Sequence, residues 1–323
     1  MIIAGPTGVG KSLLAMAVAA RAPGEILVAD SMQVYRGMDV GTGKPSEADR
    51  HAVPHHLLDI CDPTQPFSAF DFAWRAHAAV AAIRGRGRLP ILVGGTGLYL
   101  RAFLKGQLSG GAGDPAVRAR LRAEAAARGP ATLHDRLRQV DPDSAAGIRA
   151  GDLFRIVRAL ELWETTGQRP SRIRPGFWDP PRVAVSAYVV LTRERQELFR
   201  LIDRRAAQMW RDGLVAEMRG LLAAGFAAEL RPFRSLGYRQ ALAVVRGEMG
   251  EAEALAEMQR ATRNYAKRQL TWFRREPAAE WIALRGADWV EPAAAALLAR
   301  LERAADPGGP PAVQEPAVLG EAP

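Results

Sequence analysis

The sequence predicts an α/β fold in which a parallel sheet is interrupted by an all-helical domain. A glycine-rich phosphate-loop pattern, Gly5-Pro-Thr-Gly-Val-Gly-Lys-Ser12, lies directly between an apolar run and a helical stretch. Near-continuous apolar runs alternate with helical stretches up to about residue 108, as in parallel sheets that helices cover on both faces. From Asp114 to about Gly167 only helical patterns occur. Together these observations predict a P-loop NTPase-like core with an inserted helical domain.

The first part of the core, residues 1–110, contains the strands and helices that surround the phosphate loop. Each strand is a short apolar run, and one helix begins after Ser68, a favourable N-cap residue with Asp71 three positions later. In chain order the predicted elements are a strand at Ile2–Ala4, a helix at Leu13–Ala20, a strand at Glu25–Asp30, a helix at Phe67–Ile83 and a strand at Leu89–Val93.

The inserted domain is predicted to span residues 111–181 and to be helical throughout. Asp114 caps its first helix, which starts at Pro115 because proline is tolerated at the first helical position. Asp152 begins a further helix with one apolar stripe, and this helix ends at Gly167.

The second part of the core, residues 182–304, begins with a strand at Arg182–Leu191 and is otherwise mostly helical. Its further predicted elements are helices at 194–212, 214–224, 236–246 and 251–274, a strand at Glu280–Leu284 and a final helix. The tail at 305–323 is rich in proline and glycine, and we expect it to be disordered.

The composition is that of a globular protein without a membrane span. Hydrophobic residues make up 48% and charged residues 24% of the chain. No apolar run approaches the roughly 18 residues that a membrane helix needs. The single cysteine, Cys61, excludes an internal disulfide and a cysteine-based metal site. No signal peptide is recognisable before the phosphate loop, so the expected location is the cytoplasm.

The net charge of +9 favours a polyanionic partner such as nucleic acid. Nearly all of the 44 basic residues are arginine, however, and an arginine-rich composition can arise from genomic base composition alone. The charge therefore supports a nucleic-acid partner without establishing one.

The phosphate loop predicts a binding site for a di- or triphosphate. In such loops, successive backbone N–H groups converge at a helix N-terminus and surround an anionic phosphate. Lys11 adds a positive charge, and the Ser12 hydroxyl can bind Mg²⁺ held by the same phosphates. The alternative is a glycine-rich turn that binds nothing.

Two further positions follow predicted strands and so lie at the edge where open α/β sheets bind ligands. Asp30 ends one strand and could hold Mg²⁺, orient a substrate or accept a proton; the alternative is a simple cap for the following turn. Thr96 lies in the turn Gly94-Gly-Thr-Gly97 after another strand, a weaker signal. The adjacent His55 and His56 could bind a metal, but they lack the i, i+4 spacing of a helical metal pair, so loop or core histidines are the favoured interpretation.

The helix predicted over 251–274 has a basic face. At about 100° per residue, four of its basic residues, Arg260, Arg263, Lys267 and Arg274, form one narrow stripe opposite an apolar face. A solvated charged face is one explanation. Four cations without an acid among them repel one another, and a bound polyanion would relieve that repulsion.

Taken together, the ordered motifs resemble the tRNA dimethylallyltransferase family, over about residues 1–284. The phosphate loop alone occurs in many unrelated enzymes, whereas the ordered set is typical of this family. The motifs are GPTGVGKS at 5–12, DSMQVYRGMDVGTGKP at 30–45, PHHLLD at 54–59, LVGGTGLY at 92–99, RIVRALE at 155–161, LGYRQ at 236–240 and AKRQLTW at 266–272.

The resemblance implies transfer of a dimethylallyl group from dimethylallyl diphosphate to N6 of adenosine 37 in tRNA, with release of diphosphate and use of Mg²⁺. It implies that the phosphate loop, although of a type usually regarded as ATP-binding, holds the diphosphate, and that Asp30 accepts the proton of the adenine amine. Thr7, Thr96 and Arg205 would be further catalytic residues. The implied diphosphate-binding residues are Gly5, Pro6, Thr7, Gly8, Val9, Gly10, Lys11 and Ser12, with Ser12 also the metal ligand.

The resemblance also implies contacts to the anticodon stem-loop of the tRNA, and we expect a monomer without a membrane partner. Phe154 stands where the family pattern has glutamine, so the resemblance supports RNA contact by Arg155 and Arg158 but not by the Phe154 side chain. The implied tRNA-binding residues are Asp30, Ser31, Met32, Gln33, Thr96, Arg118, Phe154, Arg155, Ile156, Val157, Arg158, Arg234, Ser235, Leu236, Gly237, Tyr238, Arg239 and, from the basic stripe, Lys267.

Two other functions share the phosphate loop. A small-molecule phosphotransferase would use Asp30 to orient an acceptor hydroxyl, but it has no need for a basic helix. A nucleotide-dependent RNA-binding switch would place its Mg²⁺-coordinating acid later in the chain than Asp30.

Overall fold

The computed structural model describes residues 1–105, 114–173, 181, 183–286, 288–305 and 318–319. The chain forms two compact units. The first comprises Met1–Leu104 and Pro180–Pro323, and the second comprises Lys105–Asp179. The second unit overlaps the insertion predicted at 111–181 but begins earlier in the chain.

The described part of the first unit contains a seven-stranded parallel sheet. Its strands are β1 (Ile2–Ala4), β2 (Gly24–Val28), β3 (His55–His56), β4 (Leu89–Gly94), β5 (Tyr188–Thr192), β6 (Glu280–Leu284) and β7 (Val318–Leu319). Their spatial order is β3-β2-β4-β1-β5-β6-β7. β1 lies between β4 and β5, and all its residues are buried. A fully buried central strand explains why this part of the sequence is apolar at every position.

Four described helices of the first unit precede the insertion, and the first and third of them were predicted from the sequence. They are α1 (Lys11–Arg21), α2 (Glu47–Ala52), α3 (Ala69–Gly85) and α4 (Gly97–Lys105). α3 begins with the predicted capping box, because the Ser68 side chain accepts from the N–H of Asp71 and the Asp71 carboxylate accepts from the N–H of Ser68. α4 follows the glycine-rich turn that contains Thr96, where no helix was predicted.

The second unit is helical throughout its described part. Its helices are α5 (Pro115–Arg128), α6 (Pro130–Val140), α7 (Pro142–Gly147), α8 (Leu153–Thr166) and α9 (Pro170–Ile173). As predicted, Asp114 caps α5, Asp152 caps α8, and Gly167 ends α8 in the left-handed conformation. The apolar faces of α5, α6 and α8 pack into a small core of their own.

The remaining helices of the first unit are α10 (Arg195–Arg211), α11 (Leu214–Ala223), α12 (Tyr238–Val245), α13 (Glu251–Phe273) and α14 (Val290–Ala305), with a 3-10 turn at Arg231–Arg234. The prediction was correct for all five. It was wrong about the start of β5, which begins at Tyr188 rather than at Arg182. Val183 instead donates its N–H to the carbonyl oxygen of Leu104 at 3.0 Å.

Two further differences concern strand ends and the tail. β2 ends at Val28, so Asp30 lies just beyond the carboxyl edge of the sheet rather than within the strand. In the tail predicted to be disordered, Val318–Leu319 differs from that prediction, because it pairs with β6. The other tail residues after Ala305 lie outside the described residues.

Candidate active site

The phosphate loop connects β1 to α1, and its glycines are required by close packing. Gly10 has φ 112°, and a Cβ there would lie 2.6 Å from the ring of Trp289. At Gly5, with φ 144°, a Cβ would lie 2.7 Å from the carbonyl oxygen of Leu191. Because Gly10 precedes α1 without a side-chain cap, the N–H groups of the first turn remain open to an anion.

Lys11 and Arg205 bring two positive charges to this loop. The Lys11 Nζ donates to the carbonyl oxygen of Pro6 at 2.8 Å. Desolvation and the neighbouring Arg205 lower the pKa of Lys11 to about 7, although Asp30 opposes the shift. The Arg205 side chain is exposed to water. Partial desolvation by the surrounding protein nevertheless lowers the pKa of Arg205, and the nearby Asp30 opposes this shift. Cations that lose hydration and repel each other favour a bound polyanion.

Arg205 is held close to the loop that follows β2. Gly43 in this loop has φ 60°, and a Cβ there would overlap the guanidinium of Arg205. The Gln33 amide donates to the carbonyl oxygens of Thr42 and Gly43, at 3.1 and 3.3 Å. The predicted catalytic Arg205, on α10, therefore lies against the same loop that contains the predicted tRNA contact Gln33.

Asp30 and Thr96 come together at the carboxyl edge of the sheet. The Oδ1 of Asp30 accepts from the N–H groups of Met32 and Gln33, at 2.8 and 3.4 Å. The hydroxyl of Thr96 accepts from the N–H of Ser31 at 3.1 Å. Asp30 thus caps the following turn, which was the alternative role considered for it from the sequence. Its half-buried carboxylate also lies close to Lys11 and Arg205.

Gln269 and Tyr265 of α13 belong to this site, and sequence reasoning did not identify them. The buried Gln269 accepts from the N–H of Thr7 at 2.9 Å and donates to the carbonyl oxygen of Gly95 at 2.9 Å. The Tyr265 hydroxyl lies near the side chains of Thr96 and Gln269, both of which lower its pKa slightly. Burial, and then Asp30, raise the pKa of Tyr265 to about 12, so the hydroxyl keeps its proton at neutral pH. An uncharged glutamine on the opposite face from a basic stripe gave no sequence signal.

Glu217 of α11 is a third residue that sequence reasoning did not identify. Its carboxylate accepts from three successive N–H groups, of Asp39 (2.9 Å), Val40 (2.7 Å) and Gly41 (3.2 Å). It also accepts from the hydroxyl of Tyr238, whose pKa is raised by burial and by Glu217 itself. Glu217 therefore fixes the loop after β2 through its backbone, and the same loop contacts Arg205 at Gly43.

Other residues of the predicted motifs are structural. The Nζ of Lys44, which is almost fully buried, pairs with Asp39 at 2.6 Å and with Asp59. His56 hydrogen-bonds to Glu25 at 2.6 Å, and His55 to the carbonyl oxygen of Val53 at 2.7 Å. Within the described ranges no three histidine, cysteine or acidic side chains form a metal cluster. Both histidines therefore contact protein groups, which is consistent with the favoured interpretation of loop or core histidines.

The predicted tRNA-contact stretch at 234–239 divides into exposed and buried parts. Arg234 and Arg239 are exposed, and Arg239 pairs with Glu257 at 2.8 Å. Tyr238 is fully buried against Glu217. Any contribution of Tyr238 to tRNA binding would therefore act through the loop that it supports, and contact by this stretch stays a prediction.

The basic stripe on α13 is less uniform than the sequence indicated. Arg263 pairs with Asp203 of α10, so an acid from a neighbouring helix faces one of the four cations. Lys267 is exposed, lies 5.6 Å from the ring centroid of Phe199 and donates to the Asn264 side chain at 3.3 Å. The mutual repulsion inferred from the stripe is therefore reduced at Arg263.

Within the second unit, Arg118 and Arg158 converge on one carboxylate. The fully buried Glu161 accepts from Arg118 at 2.8 Å and from Arg158 at 2.7 Å. Phe154 is 67% exposed, whereas Ile156 and Val157 are buried in the core of the unit. Arg155 is exposed and lies 3.4 Å from Asp152. Contact with tRNA is thus open to the side chains of Phe154 and the arginines, and it stays a prediction.

Among the described residues, every helix is too short or too polar to cross a membrane.

Comparisons with known proteins agree on one family. Residues 33–276 match the family described as IPP transferase, and residues 1–59 match isopentenyl transferase. The tRNA dimethylallyltransferase of Anaeromyxobacter sp. (strain Fw109-5) is 50% identical over 285 residues, which span 88% of this chain and 94% of the relative.

Solved structures agree with the sequence relatives. The full-length tRNA isopentenylpyrophosphate transferase of Bacillus halodurans has a TM-score of 0.67 and 36% identity, covering 94% of this chain and 97% of that chain. A eukaryotic dimethylallyltransferase, captured in crystallographic snapshots acting on tRNA, has a TM-score of 0.74 and 26% identity, covering 87% of this chain and 73% of that chain.

We predict that Glu217→Ala loosens the loop after β2. The N–H groups of Asp39, Val40 and Gly41 lose their shared acceptor, and each lost hydrogen bond is expected to speed amide exchange by about tenfold to a hundredfold. Hydrogen–deuterium exchange measures this directly. The control is Glu229→Ala, which removes an exposed carboxylate that pairs with Arg246 at 3.0 Å. Equal exchange at these three amides in both variants would contradict the prediction.

Proposed function

Because the chain belongs to the tRNA dimethylallyltransferase family, whose core has a P-loop NTPase-like fold, we propose that it transfers a dimethylallyl group from dimethylallyl diphosphate to N6 of adenosine 37 in tRNA, releasing diphosphate. The chain is therefore a prenyltransferase. One observation carries the site assignment: the phosphate loop with Lys11 and Arg205 lies beside Asp30 and Thr96 at one edge of the sheet.

The phosphate loop would bind the diphosphate of the prenyl donor. During transfer, the bond between the allylic carbon and the diphosphate oxygen breaks, and its electron pair leaves with the diphosphate. The loop N–H groups, Lys11 and Arg205 are placed to stabilise that developing charge. The lowered pKa of Lys11 supports this role. In the described part of the free protein no group compensates its charge fully, and a bound diphosphate would do so.

Asp30 would accept the proton of the acceptor amine. As N6 of adenine forms its bond to the allylic carbon, it must lose a proton, and general-base catalysis of this kind contributes about 10²- to 10⁴-fold to rate. The base must first leave the anticodon stack, at a cost of roughly a few kcal/mol. Contacts to the tRNA backbone from Arg234, Arg239 and Lys267 and from the arginines of the second unit would offset that cost.

The residues present fit a Mg²⁺ ion bound mainly through the diphosphate. Mg²⁺ prefers oxygen ligands and is usually held by one or two protein groups together with phosphates and water. Ser12 lies in the exposed first turn of α1, and the described residues build no acidic cage. Ser12 would thus be the protein ligand. A bound Mg²⁺ would supply further positive charge beside the leaving diphosphate. A tRNA substrate also favours action in the cytoplasm.

We predict that Asp30→Asn transfers far less dimethylallyl group than the wild-type protein. Asparagine keeps an oxygen for the N–H groups of Met32 and Gln33 but cannot accept the proton, so kcat should fall by about 10²- to 10⁴-fold while tRNA affinity stays within about threefold. The assay uses radiolabelled dimethylallyl diphosphate and unmodified tRNA with adenosine at position 37. Near wild-type turnover by Asp30→Asn would remove Asp30 from the mechanism, and no label with the wild-type protein would refute the proposed function.

Binding of the prenyl donor is predicted to take up a proton at pH 8. The pKa of Lys11 is about 7 in the free protein, so the lysine is mostly neutral at pH 8, and a bound diphosphate raises that pKa. Affinity should therefore fall as pH rises through 7. Calorimetry with a thiodiphosphate analogue in buffers of different ionisation enthalpy measures the uptake. Lys11→Arg, which stays charged, should show none; equal uptake by both proteins would contradict the assignment.

Lys267→Ala is predicted to flatten the salt dependence of tRNA binding. Loss of one phosphate contact lowers the slope of log affinity against log salt by about 0.7 to 0.9. Filter binding at several salt concentrations measures the slope. The control is Arg300→Ala, which removes the same charge from α14, where Arg300 pairs with Glu280 at 2.6 Å. An unchanged slope in Lys267→Ala would assign the stripe to a solvated face.

A further inference from the structure

A buried amide on α13 joins the two loops that the proposed reaction uses. The side chain of Gln269 accepts from the N–H of Thr7 in the phosphate loop, and its amide donates to the carbonyl oxygen of Gly95, each at 2.9 Å. Gln269 is separated from Thr7 by 262 positions in sequence, so this contact depends on the tertiary fold. A buried amide with both its ends satisfied by backbone groups fixes the distance between them.

Close packing leaves the bridge little freedom. A Cβ at Gly95 would overlap the Gln269 amide nitrogen and would lie 3.2 Å from the carbonyl oxygen of Gly5. The two loops are therefore in contact at their glycines, and the amide fits between them because residue 95 has no side chain. A shorter or branched side chain at position 269 could not reach both backbone groups in the same way.

Tyr265 lies one helical turn before Gln269, on the side of the bridge towards Asp30. Its hydroxyl lies near the side chains of Gln269 and Thr96, and the Thr96 hydroxyl accepts from the N–H of Ser31, next to Asp30. Gln269 and Tyr265 of α13 thus lie between the phosphate loop and the turn that holds the proposed base.

We propose that Gln269, together with Tyr265, is a positioning residue that sets the spacing between the bound diphosphate and the base Asp30. This inference rests on the proposed function. The N–H of Thr7 donates to Gln269, whereas the N–H groups in the first turn of α1 have no side-chain cap and can bind the diphosphate. Rigid placement of reacting groups matters because a displacement of about 1 Å can reduce a rate by roughly a hundredfold.

The test compares two equivalent substitutions on one helix. Gln269→Leu removes both hydrogen bonds of the bridge, whereas Gln259→Leu removes one bond to the carbonyl oxygen of Asp203, at 3.1 Å, ten positions earlier on α13. With both substrates saturating, and per mole of folded enzyme, Gln269→Leu should lower kcat by about tenfold to a hundredfold. Its Kd for tRNA should stay within about twofold of the wild-type value, and Gln259→Leu should keep wild-type kcat.

Two further variants separate positioning from folding. Tyr265→Phe removes one hydroxyl and should lower kcat by roughly several-fold without changing the affinity for tRNA. Gln269→Glu keeps the acceptor for Thr7 but donates to Gly95 only when protonated, so its kcat relative to wild type should rise as pH falls. Equal kcat per folded enzyme in Gln269→Leu and Gln259→Leu, or a Gln269→Glu ratio that does not change with pH, would overturn the proposal. Absence of transfer by the wild-type protein would instead refute the proposed function on which it rests.

Discussion

The pairing of β1 with β4 is the constraint on which the site depends. In this register Ala4 lies opposite Gly94, so the phosphate loop and the turn containing Thr96 leave the sheet side by side. β2 pairs with the other edge of β4, with Val28 opposite Val93, and this brings Asp30 to the same place. Three strand ends therefore deliver a phosphate cradle, a hydroxyl and a carboxylate to one edge, where parallel sheets characteristically bind ligands.

The charges at this edge would suit the proposed substrate, which separates charge as it reacts. Lys11 and Arg205 repel each other and lose hydration, and Asp30 compensates both in part. A diphosphate that gains negative charge would meet preformed positive charge there, while the carboxylate remains for the amine. The loop carrying Gly43 and Gln33 limits where Arg205 can lie, and Glu217 holds that loop through three backbone N–H groups. The charges are thus oriented by residues outside the phosphate loop.

The sequence predicted what is local and missed what depends on distant contacts. The phosphate loop, Asp30 and Thr96 each follow an apolar strand, so their common edge could be inferred from the alternation of strands and helices. Gln269 and Glu217 act on loops that are 262 and 176 positions away, and neither helix has a local pattern that indicates such a partner. Similarly, the sequence of α13 could not show that Asp203 of another helix faces Arg263.

The shared carboxylate in the helical unit has a consequence for recognition. Arg118 and Arg158 both bind Glu161, which is fully buried, so neither guanidinium is free to sample many rotamers. Long cationic side chains lose up to about 2 kcal/mol of conformational entropy when they are immobilised. Here much of that loss has occurred on folding. A phosphate group that met these arginines would encounter a rigid, partly neutralised surface, which favours selectivity for geometry over strength of attraction.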